Sequence, residues 1–141
     1  MDINGITLNG TEAKRTKEGL IAGIDLNITI DNVDVKSSGD VTISFTYSAN
    51  YRPEIGYLKM SGYIGGKSDK EESKRITDEF KKSKHLPLDI SEPLLNMINA
   101  TAGINGIFVA RALNLSPPII PARISLVSNE QQPAFAKGAK K

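Results

Sequence analysis

The chain of 141 residues has no cysteine, no tryptophan and a single histidine. Without cysteine, disulfide frameworks and thiolate metal sites are excluded, which fits a reducing cytoplasm. The histidine, His85, stands between Lys84 and Leu86 at the end of a charged stretch. No second histidine or paired carboxylate lies at metal-ligand or general-base spacing from it, so it reads as an ordinary surface side chain. With no catalytic constellation, metal or cofactor motif, the chain is expected not to be an enzyme. Charge of one sign is scarce as well: 18 Lys and Arg against 16 Asp and Glu leave a net +2, too little to imply nucleic-acid binding. Much of that excess lies in Lys137, Lys140 and Lys141, and residues 131–141 read as a flexible basic tail. The N-terminus lacks the basic start and apolar stretch of a signal peptide. No run of about 18 apolar residues suggests a spanning helix. The expectation is a soluble, cytoplasmic protein without membrane insertion, with residues 1–130 as a single domain.

What is present begins as strands. In LIAGIDLNITI, Ile24, Leu26, Ile28 and Ile30 alternate with Asp25, Asn27 and Thr29. That is the period-2 signature of a strand with one dry and one wet face. DVTISFTYSANY repeats it, with Val41, Ile43, Phe45 and Tyr47 on one side. KSSGD between them carries turn chemistry, Gly39 being free to take a positive φ. A third run places Leu58, Met60, Gly62 and Ile64 on one face; Gly62 marks a candidate bulge and Gly65-Gly66 the strand end. Upstream, Ile6 and Leu8 alternate with Thr7 and Asn9 in a further short strand. About four strands of this kind favour an antiparallel sheet that covers one face with another layer.

Two helices come next. SDKEESKRITDEFKKSKHL opens with Ser68 three residues before Glu71, a capping-box pattern. Only Ile76 and Phe80 offer it an apolar contact, so this helix belongs on the surface. The second is expected to start at Ser91, with Glu92 and Pro93 in its first turn. It is apolar nearly all round, which implies burial on several sides. Two readings stay open: a kinked core helix, or one that shares its surface with another copy in a homo-oligomer. In the second case Gly103, Gly106, Phe108, Pro117 and Pro118 form the subunit contact.

Two other motifs carry little. Gly65-Gly66-Lys67-Ser68 precedes a helix, but a phosphate loop needs a glycine where Ser61 stands. Tyr47, Tyr51, Tyr57 and Tyr63 offer aromatic faces for stacking bases, without interleaved basic residues.

The remaining feature is ALNLSPPIIPARISL, residues 112–126. Pro117 and Pro118 cannot continue the helix, and Pro121 stiffens the segment beyond them. An extended proline-rich arm packed by Ile119 and Ile120 is expected. Alternating strands, a glycine-ended third strand and an apolar helix that runs into Pro117-Pro118-Ile119-Ile120-Pro121 together resemble the SecB-like export chaperones. That resemblance implies an α+β fold of about four antiparallel strands, two helices and the arm. It further implies an ATP-independent holdase that binds non-native polypeptides in apolar grooves. Leu58, Met60, Ile64, Ile119 and Ile120 are the candidate client-binding residues, chosen by sidedness, with internal packing as the competing reading of each. The slightly basic balance departs from the acidic surface with which SecB meets its motor partner, and argues against coupling to that motor. The alternatives are a subunit that binds one specific folded partner, and a ribosome- or RNA-associated protein acting through the lysine tail.

Overall fold

A computed structural model describes residues 1–118 of the chain. Four strands come first: β1 (Asp2–Arg15), β2 (Gly23–Val35), β3 (Asp40–Arg52) and β4 (Gly56–Lys67). They form one sheet in the order β1-β4-β3-β2, antiparallel throughout. Gly39 takes φ 95° in the turn between β2 and β3, as its position requires. Two helices, α1 (Lys70–Ser83) and α2 (Leu88–Ala112), follow the sheet. The α+β class, the strand count and the strand-then-helix order are as expected.

β1 is not short: it spans 14 residues. Register shifts between Ile3 and Gly5 and between Leu8 and Gly10 insert extra residues. Each shift resets the alternation, so Ile3, Ile6, Leu8 and Ala13 all pair with inward residues of β4 although their spacing is irregular. A strict period-2 reading therefore detects only its middle. The bulge at Leu8/Gly10 lies opposite Gly62 rather than in β4 itself, and β4 runs on through Gly65 and Gly66 to Lys67. With those glycines inside a strand, no phosphate loop exists here. β2 carries one similar shift, after Ile30, which keeps Val33 and Val35 on the inner face with Ile24 to Ile30.

Both helices start at residues other than those anticipated. Asp69 caps α1, its carboxylate accepting from the Glu72 amide at 2.8 Å, while Ser68 pairs with the Ser73 hydroxyl. Lys84 closes the helix in the left-handed region, its N–H donating to the Phe80 carbonyl. α2 begins at Leu88, so Pro93 lies inside it. Leu86 and Ile90 are both 5% exposed; seating this pair winds the extra turn, and the Ser91 hydroxyl donates to the Leu86 carbonyl instead of capping.

A stripe of Ile90, Leu94, Ile98, Ala102, Gly106 and Ala110, each four residues on, fastens α2 to the sheet. Each fully buried large aliphatic side chain there contributes about 1.5–3 kcal/mol. The rest of α2 is less covered than its composition implied: Leu88, Ile104 and Phe108 are exposed. By length and composition α2 is apolar enough to cross a membrane, contrary to expectation. One side of it, the buried stripe, packs on the sheet in this fold.

Candidate functional site

The aliphatic side chains of the sheet face the helices. β3 sends Val41, Ile43, Phe45, Tyr47, Ala49 and Tyr51 inward, and β4 adds Leu58, Met60 and Ile64. The opposite face is Thr42, Ser44, Thr46 and Ser48 on β3, with Asn27 and Thr29 on β2. The Thr29 and Thr46 hydroxyls both donate to Asp31 there, at 3.0 and 2.6 Å. One face is therefore largely polar, with Tyr57 and Tyr63 its aromatic members, and needs no cover; the other must be covered.

The cover is uneven. α2 packs over β1, β4 and β3, while α1 packs over β2. α1 touches the core through a narrow stripe in which Ile76 alone is buried. As a result Ile24, Leu26, Ile28, Ile30, Val33 and Val35 pack against the core yet stay half-buried. This row forms an incompletely covered apolar strip along one sheet edge; Ile3, Ile6 and Leu8 on the other edge, β1, are half-buried as well.

Where α2 ends, the Arg15 guanidinium donates to the carbonyls of Leu113 and Asn114 at 3.3 and 2.7 Å. The chain then turns back beneath the helix. Leu115 and Pro118 are buried. The Tyr51 hydroxyl donates to the Ser116 carbonyl at 2.5 Å, and the Tyr47 hydroxyl to the Pro118 carbonyl at 3.2 Å. Burial pushes both tyrosines up to about 12 from 10.0, with the neighbouring Tyr51 adding to the effect on Tyr47. A Cβ on Gly106 would lie 3.1 Å from Pro118 Cγ and 3.2 Å from Leu58 Cδ2. The missing side chain is what lets Pro118 fit between helix and sheet.

These positions sort the residues singled out from sequence. Leu58 and Ile64 are 0% exposed and Met60 is 4% exposed, so all three are interior as the chain stands. A client reaches them only if the elements above move. Ile119 and Ile120 lie outside the described residues, as do the rest of the proline-rich arm and the basic tail. Gly106 and Pro118 meet each other within the chain, Gly103 lies over the Pro118 carbonyl, Pro117 is half-buried and Phe108 is 72% exposed. Of the proposed subunit contact, only Phe108 presents a large open surface. The four tyrosines do not form a stacking platform: Tyr47 and Tyr51 are buried on the inner face. Tyr57, bonded to Glu12 at 2.6 Å, and Tyr63 are on the outer one. His85 is exposed. No cluster of metal-ligating residues occurs among the described residues.

The tyrosine-carbonyl pairs and the edge row of β2 escaped the sequence reading as a site. The pairs join residues 65 and 71 positions apart. The edge row has the same alternating pattern as a fully buried strand.

No family model and no curated protein matches the chain. Among solved structures, it is similar to a SecB-like chaperone of Mycobacterium tuberculosis in complex with a ChAD peptide from the HigA1 antitoxin. The TM-score is 0.59 at 11% identity, over 85% of each chain. The fold is thus SecB-like.

Proposed function

We propose that this protein is a SecB-like, ATP-independent holdase that binds non-native polypeptide on the incompletely covered apolar face of its sheet. The observation that carries this reading is the half-buried row Ile24, Leu26, Ile28 and Ile30 along β2, flanked by Val33 and Val35. A polar outer face keeps the sheet hydrated while the inner edge offers apolar area to an extended chain. Binding of this kind is hydrophobic, needs no nucleotide and involves no bond chemistry. The similarity to a peptide-bound SecB-like chaperone supports a polypeptide ligand. We place the protein in the cytoplasm as a homo-oligomer, with Ile104 and Phe108, one turn apart and exposed on α2, as the surface another copy covers. The deciding experiment is light scattering of a thermally aggregating test protein, with this protein added at increasing ratio after its mass is fixed by sedimentation. Suppression near stoichiometric ratio is the expected result; none at any ratio rejects the holdase.

A second reading is favoured by one fact: the similar structure holds a peptide of a single named antitoxin rather than a general client. On that reading the same face binds one specific partner. One-to-one capture of that partner, with no effect on model clients, distinguishes the two.

A further inference from the structure

We propose that the channel between α2 and β3 is a binding site for extended, proline-bearing polypeptide, and that the chain's own Leu115–Pro118 segment is its resident, displaceable occupant. The inference rests on the polypeptide-binding reading and deepens it by naming the ligand class and a means of regulation.

The first ground is how the segment is held. Tyr51 and Tyr47 donate to the carbonyls of residues 116 and 118. Alternate carbonyls on one side are what an extended chain presents, and every polypeptide carries them. The recognition therefore reads backbone, not the particular side chains of this segment. Because burial keeps both hydroxyls protonated far above neutral pH, they serve as donors throughout the physiological range.

Proline suits such a channel for a second reason. Hydroxyls that donate satisfy carbonyls, and a proline brings a carbonyl without an N–H that would be buried unpaired. Its fixed φ also lowers the ordering cost of an extended ligand. The slot over Gly106 and Leu58 is filled by the Pro118 ring, so the channel has a place shaped for one.

The third ground is where the channel leads. In the sheet Tyr47 pairs with Ile28 and Tyr51 with Ile24. The carbonyl-reading hydroxyls thus stand beside the half-buried row of β2. A longer extended segment seated on the tyrosines would find apolar contacts along that row for its side chains.

The test uses the full chain. A fluorescent peptide of residues 112–126, ALNLSPPIIPARISL, is titrated onto the parent and onto Pro117→Gly with Pro118→Gly, which loosens the resident and leaves the slot at Gly106 open. We expect the peptide to bind the variant about fivefold tighter than the parent and to raise its Tm. Unchanged affinity, or binding to neither, overturns the proposal. If the variant does not fold, hydrogen exchange is followed in the parent at the Leu115 amide, which donates to the Ala110 carbonyl. Saturating peptide should speed that exchange as the resident leaves; unchanged exchange overturns the proposal equally. Suppression of client aggregation is measured on the same samples. Suppression without peptide exchange sinks the self-occupied channel alone. Peptide exchange without suppression keeps the channel and sinks the holdase.

Discussion

β2 and β3 are each 13 residues long, pair with one another along their whole length and turn their apolar side chains to the same face. On β3 the six inward residues from Val41 to Tyr51 are at most 2% exposed. Their partners on β2 are half-buried. The residue types are comparable; the surroundings are not. β3 has a strand on each side, whereas β2 is an edge against which the narrow stripe of α1 packs. Asp25 and Asp34 on its outer side, and Asp31 at its bulge, guard that edge against indiscriminate strand pairing. The same alternation therefore builds a core in one place and an available apolar strip in the other.

Substitution should expose that contrast most strongly at a cross-strand level. Phe45→Ala is expected to cost about 3–5 kcal/mol in urea unfolding, whereas Ile28→Ala should cost about 1–2 kcal/mol because its removed methyl groups are only partly out of water. Equal losses would break the comparison. In the aggregation assay the order should reverse for folded protein: Leu26→Ser with Ile28→Ser weakens client retention, and unaltered retention would move the client surface away from β2.

Alkaline titration probes the buried side alone. Folded Tyr47 and Tyr51 hold their protons to about pH 12, against 10.0 as the ordinary value. The folded state thus binds more protons than the unfolded one above pH 10. Their stabilising contribution is whole below pH 10 and fades as pH rises towards 12, by up to about 1.4 kcal/mol per pH unit for each group. Tyr51→Phe should flatten that fall, followed by thermal unfolding across the window; an unchanged slope would show that these tyrosines do not govern it.

Smaller effects are expected on the helices. Asp69→Ala should cost about 1 kcal/mol through loss of the cap, and Ser68→Ala less; the reverse order would restore Ser68 as the cap. Phe108→Ser should change stability by no more than about 0.5 kcal/mol but lower the sedimenting mass if α2 meets another copy. A monomer before and after substitution would remove that interface.

Strands β3, β4 and β2 as far as Ile30 were legible because their side chains alternate strictly, and α1 because its charge pattern marks it; Val33 and Val35, past the β2 bulge, were not. β1 was only half legible, since its two bulges reset the period. The start of α2 was displaced because Leu86 and Ile90 dock as a pair, and docking outweighed the preference of Ser91 for a cap. Of the candidate site, the proline segment was visible as an oddity. Its grip by Tyr47 and Tyr51 was not, because the partners are joined only by folding.

The sequence by itself determined the α+β class, the order of strands before helices, and which side of β2, β3 and β4 is dry. Those properties are local, written in period and punctuation. Only the tertiary structure decided which apolar face is sealed and which stays open, that Leu58, Met60 and Ile64 lie interior, and that Leu115–Pro118 runs beneath α2. Burial belongs to neighbours: strand order and helix placement, not residue type, determined how many each side chain received.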